Sequence, residues 1–167
     1  DTVSSSVAFT LAANVDNLTL TGVGVTQGAG TLLVGGATTV NAGAGTISLA
    51  QSSNDFTGAV TLNATGASVS VQDANALTLA APTLGANTGI TAIAGTTLTL
   101  PVATNFNTGT GAIDFRSNGG ALTTTGTLTT NSGTVTLVGS TGLTVANNIT
   151  STSGNVSLTG GAAGALT

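Results

Sequence analysis

The feature that most restricts this chain is a short apolar–polar–apolar triplet that keeps returning. Val135-Thr136-Leu137 and Val156-Ser157-Leu158 lie 21 residues apart, with Leu143-Thr144-Val145 and the half-triplet Ile149-Thr150 between them. Successive side chains on a strand point to opposite faces, so each triplet reads as a short strand with one buried side. Gly, Ser or Asn separates the triplets, and the period falls in the range of solenoid coils. One coil then holds three short strands around an apolar centre, and the next coil stacks upon it. The expected fold is all-β, a parallel β-helix (β-solenoid) of about 20–22 residues per coil.

Composition supports a solenoid over a globular core. The 167 residues are 40% hydrophobic but only 2% aromatic, with no Met, Cys or Trp. An irregular core needs large and adaptable side chains, whereas stacked coils present the same narrow slot again and again. Abundant Val, Ile and Thr favour strands, and only 4% of residues are charged, the reverse of a disordered chain. The apolar runs last a few residues each, too short for a membrane-crossing helix. The net charge of -4 sets five Asp against the single basic residue Arg116, which excludes a nucleic-acid surface built on clustered Lys and Arg.

Taken in order, residues 1–43 read as less regular coils and residues 44–167 as regular ones, within a single solenoid segment. The early triplets are Phe9-Thr10-Leu11, Leu18-Thr19-Leu20 and Val23-Gly24-Val25, with Asn14 and Asn17 at turns. Leu32-Leu33-Val34 follows, flanked by glycines that leave its register weakly specified. Beyond Ala44 come Ile47-Ser48-Leu49, Val60-Thr61-Leu62, Val69-Ser70-Val71, Leu77-Thr78-Leu79 and Leu98-Thr99-Leu100, with Ile90 and Ile93 continuing the apolar series. Asn63, Gly66, Asp73 and Asn75 read as corner residues, and Pro82 as a corner or edge. The stretch Asn105 to Phe115 echoes Asn54 to Leu62, each placing a Phe ahead of a Gly-Ala strand. Stacking puts Ile113 and Phe115 under Val135 and Leu137, and those under Val156 and Leu158. Leu122 falls under Leu143, and Leu128 under Ile149. The whole makes about eight coils and a rod of roughly 40 Å.

The acids, amides and threonines bear on several chemistries. A glycosidase needs two carboxylates across a cleft, yet Asp16, Asp55, Asp73 and Asp114 fall on different coils and Asp1 is terminal. Asp114 stands at the outward middle of its strand beside Arg116, with Thr136 and Ser157 in its column. Turn and surface roles are expected for these acids. Calcium-binding nonapeptides need an Asp after Gly-Gly-x-Gly-x, which Gly119-Gly120 and Gly160-Gly161 lack. Asn54, Asp55, Asp73 and Asn75 form no specified metal set, and corner Asn residues are expected to bond backbone or stack in ladders. The Thr-rich run from Ala121 to Thr130 raises an ice-binding array, but the outward positions Thr61, Asp114, Thr136 and Ser157 break it. Asn17, Asn63, Asn148 and Asn155 match the glycosylation acceptor pattern. No catalytic, cofactor-binding or metal-ligating residue is singled out, and no enzyme activity is expected.

The runs Asn54 to Leu62 and Asp73 to Leu79 resemble the repeats of filamentous-haemagglutinin-type adhesins and similar autotransporter passengers. The resemblance covers the chain from about Ala44 onward. It implies a right-handed β-helix, export to a bacterial surface, and a part in adhesion, aggregation or matrix building. The expected function is therefore a secreted or cell-surface structural and adhesive solenoid, a stalk, fibre or matrix element and a fragment or repeat unit of something longer. Its expected partners are itself, flanking coils or cell-surface glycans, with no nucleic acid, cofactor or membrane insertion. The alternatives are a carbohydrate-binding or carbohydrate-cleaving β-helix and, behind it, a Thr-array ice binder.

Overall fold

A computed structural model describes residues 2–3, 15–66, 68–101 and 105–161. The triplet Phe9-Thr10-Leu11, Asn14 and Asp1 lie outside the described residues. In chain order the first strands are β1 (Thr2–Val3), β2 (Asn17–Thr21), β3 (Val25–Thr26), β4 (Leu33–Val34), β5 (Thr38–Asn41), β6 (Ile47–Leu49) and β7 (Asp55–Phe56). There follow β8 (Val60–Ala64), β9 (Ser68–Asp73), β10 (Leu77–Thr78), β11 (Thr83–Leu84), β12 (Gly89–Ala94), β13 (Leu98–Leu100) and β14 (Phe106–Asn107). The last are β15 (Ile113–Ser117), β16 (Ala121–Thr124), β17 (Leu128–Thr130), β18 (Val135–Gly139), β19 (Gly142–Val145), β20 (Ile149–Ser151) and β21 (Val156–Gly160). The described residues contain no helix, and every strand pairing is parallel.

One sheet runs through the molecule as a spine, in the order β3-β6-β9-β12-β15-β18-β21. Val25, Ile47, Val69, Ile90, Ile113, Val135 and Val156 stack in it, so successive coils are 22, 22, 21, 23, 22 and 21 residues long. Seven strands make about six turns among the described residues, against the eight coils expected from length. Three short strands per coil hold as expected. The stacking of Leu122 under Leu143 and of Leu128 under Ile149 is likewise as read from the sequence.

The other two faces are each split. In the lower half they are β4-β7 and β1-β2-β5-β8-β11; in the upper half they are β10-β13-β16-β19 and β14-β17-β20. β10 follows β9 as β7 follows β6, yet it pairs upward with β13 and not downward with β7. The third face changes one coil later, between β11 and β14. Pro82 sits in the connection between β10 and β11, where no ladder donor is needed.

The core is the sum of the inward columns. Ile47, Ile90, Ile113, Val135, Leu98, Leu122 and Leu128 are all at most 2% exposed. Each buried Val, Leu or Ile contributes about 1.5–3 kcal/mol before entropy. Phe115 lies above Ala92 and below Leu137, and Phe106 meets it edge-on at 5.0 Å and 71°. The small Ala leaves the room that the ring fills.

Three readings from the sequence change here. Val23 is 93% exposed, because Gly22 and Gly24 turn the chain there and Gly24 takes a positive φ of 91°. Ile93 faces outward beside Gln72 and Arg116, since the pairing of Ile90 with Val69 and Ile113 sends Ala92 and Ala94 inward. The Phe echo does not stack: Val60–Leu62 lies in β8 on a side face, whereas Ile113–Phe115 lies in β15 on the spine.

Candidate functional site

The polar groups that the fold organises most tightly are amides and one carboxylate on strands and at corners. At and near strand ends, some backbone N–H groups find no carbonyl in the adjacent coil and a side chain takes its place. Asn17 Oδ1 accepts from the Ala37 N–H (2.9 Å), Asn63 Oδ1 from Thr83 (2.8 Å) and Asn105 Oδ1 from Thr127 (3.0 Å). Asn63 is thus no corner residue; it stands outward in β8 and also donates its amide to Asn41 Oδ1 at 2.9 Å. Backbone bonding and ladder stacking by Asn are as read from the sequence.

Asn54 is the most enclosed of these, with no exposed surface. Its Oδ1 accepts from Leu32 N–H (2.9 Å) and Gln27 Nε2 (2.6 Å), while Nδ2 donates to Gln27 Oε1 (2.8 Å) and Leu49 O (3.2 Å). All four amide valences are filled, so the site binds its own chain and offers nothing to a ligand.

The four described acids do not converge. Asp114 lies outward on β15 and pairs with Arg116 Nε at 2.8 Å; Thr91, Thr136 and Ser157 share its column. Asp16 and Asp55 line a shallow notch of ≈ 180 Å³ with Val15, Leu33, Val34, Gly35 and Thr57. Asp73, expected at a turn in solvent, is 1% exposed at the end of β9. Its Oδ2 accepts from the Phe56 N–H (2.7 Å) and its Oδ1 from the Asn75 N–H (2.6 Å). Burial pushes this carboxyl above the ordinary 3.8; the two N–H donors pull it back and nearby Asp55 adds to the rise. Among the described residues, no three His, Cys, Asp or Glu come together as metal ligands.

Two patterns escaped the sequence reading. Thr78, Thr99, Thr123 and Thr144 form one outward file, and Thr19, Thr39 and Thr61 another on a different face. Each is a single file: two residues away Ala121 pairs with Gly142, so no two-dimensional Thr array results. A file of glycines also climbs the corner before the spine. A methyl on Gly111 would run into Gly89 and Thr88, one on Gly133 into the Gly111 carbonyl, and one on Gly154 into the Gly133 carbonyl. Scanning for Gly at the coil period, through 111, 133 and 154, would have found it.

Of the four glycosylation acceptors, Asn17 and Asn63 are engaged in the bonds above, while Asn148 and Asn155 lie exposed. At the far edge of the spine, the row that is buried elsewhere is open: Val156 is 46% and Leu158 40% exposed. No described strand pairs with β21 on that side.

A family model described as repeats of unknown function (DUF5649) matches residues 2–63, the stretch from β1 into β8. No curated protein and no solved structure matches the chain. Repeated sequence and stacked parallel coils together make this a repeat β-helix protein.

Proposed function

We propose that this chain is a structural and adhesive β-solenoid of the filamentous-haemagglutinin kind, carried outside a bacterial cell as a stalk, fibre or matrix element. The observation that carries this reading is the spine: among the described residues seven strands run in continuous register, and Val156 and Leu158 of β21 are uncovered. A coil of this size cannot hold its apolar row alone, and an open parallel edge is a template for another coil. A further coil of the same kind, from this chain or a second copy, fits that edge in both register and chemistry. The outward Ser, Thr and Asn hydroxyls and amides suit contact with surface glycans. Support for carbohydrate cleavage is thinner: among the described residues the notch of Asp16 and Asp55 has no aromatic platform, since Phe56, Phe106 and Phe115 are buried.

Cryo-electron microscopy of the purified protein at rising concentration tests the proposal, beside a variant carrying Val156→Lys and Leu158→Lys. Fibres with an axial coil repeat of about 4.8 Å, lost in the variant, are expected. Short dispersed rods that also fail to bind intact bacteria or glycan surfaces would overturn it.

A further inference from the structure

The seam between the two halves of the solenoid converges on one side chain. β7 is the last strand of its sheet, and the Phe56 N–H faces the place where the next coil would bring a carbonyl. Asp73 Oδ2 stands there instead, at 2.7 Å, while Oδ1 holds the Asn75 N–H at the entry to β10. Asp73 itself closes β9, a strand of the spine. A single buried carboxylate therefore ties the end of the lower face, the spine and the start of the upper face together.

We infer that Asp73 is a proton-sensitive latch: its ionisation loosens this seam, so the rod opens or bends here before it does elsewhere. The groups facing it are few. Among the described residues Asp55 on β7 is the one ionisable neighbour, since β6, β8, β10 and β12 carry no titratable residue. Burial and Asp55 both favour the protonated acid, and together they outweigh the two N–H donors. The direction follows by linkage. In the closed seam the carboxyl titrates above 3.8, near which it titrates once the seam opens to water, so the closed form binds the proton more tightly. The stabilisation from the proton is complete below the open-state value and is lost as pH rises through the closed-state value. Acid tightens the latch and neutral pH slackens it.

Hydrogen exchange of the whole chain by NMR, corrected for intrinsic rates, reads this directly between about pH 3 and pH 8. The opening constant at Phe56 and Asn75 is expected to rise with pH between the two carboxyl pKa values, by at most about tenfold per pH unit, and to level off outside that interval. The amides of Ile113 and Val135, inside the spine, are expected to stay level. In Asp73→Asn the dependence at Phe56 and Asn75 vanishes; in Asp55→Asn it persists and moves to lower pH. Constant or rising protection at Phe56 with pH, or a dependence that survives in Asp73→Asn, overturns the inference. Should Asp73→Asn not fold, the carboxyl carbon shift of Asp73 in the unaltered protein decides. A midpoint above 3.8 that coincides with the exchange change supports the latch, and one at or below 3.8 refutes it.

Discussion

Thr38 offers a substitution whose sign is unusual, because it should make the protein more stable. It opens β5 with its side chain inward, stacked between Leu18 and Val60, and has no exposed surface. Its Oγ1 is buried without a hydrogen-bond partner. Leaving such a hydroxyl unsatisfied costs about 1–3 kcal/mol. Thr38→Val keeps the shape and the β-branching, so strand preference is unchanged, and it adds a buried methyl worth about 0.8 kcal/mol. The expected gain is about 2 kcal/mol, or about 4–8 °C in melting midpoint for a chain of this size. Thr108 is the control. It is equally buried, but its Oγ1 donates to the Gly111 carbonyl at 2.6 Å. Thr108→Val removes that bond and should lower stability by about 1 kcal/mol. Urea denaturation followed by circular dichroism compares the three proteins. If both substitutions shift the midpoint the same way, or Thr38→Val destabilises, the hydroxyl reasoning is wrong.

Four further changes test the packing and the buried amide network. Gly133→Ala drives a methyl into the Gly111 carbonyl and to 3.1 Å from the Ala112 nitrogen, and should cost about 1–3 kcal/mol by thermal melting. Gly28→Ala meets nothing within 4 Å and should instead be neutral or gain up to about 1 kcal/mol. Phe115→Ala empties the column between Ala92 and Leu137 and removes the edge contact with Phe106, a loss of about 3–5 kcal/mol in denaturant titration. Asn54→Ala strands the Leu32 N–H and the Gln27 amide, and should cost about 2–4 kcal/mol, with faster exchange at Leu32.

The columns were legible in the sequence where alternation was strict and the apolar members large. Val135-Thr136-Leu137 has one register that hides both apolar side chains, and a slip of one residue would expose them. Ile93 shows where that logic stops. Hydropathy would bury it, but Ala92 must sit beneath Phe115, and the neighbouring strands settle the question. The Phe echo fails for an arithmetical reason. Val60 and Ile113 are 53 residues apart, which is no whole number of coils of 21–23 residues, so similar strings land on different faces. Asp73 was illegible in a third way: nothing local says that two N–H groups, one of them from the preceding coil, will meet its oxygens.

The side-chain bonds to backbone N–H groups also explain why so uncharged a chain can change its layout midway. A spine strand finds its N–H partners in the next coil automatically, whereas a face that stops or shifts leaves orphaned donors that must be met singly. Asn54, Asn63 and Asn105 meet such donors with neutral amides, whose hydrogen bonding is indifferent to pH. At the seam between β7 and β10 the same duty falls to a carboxylate with two donors to serve. An Asn in that place could offer one oxygen and would turn an N–H toward the second donor. The acid keeps an acceptor oxygen toward each donor in both protonation states, since the hydroxyl oxygen of the protonated form still has lone pairs, and the sensitivity to protons comes with it.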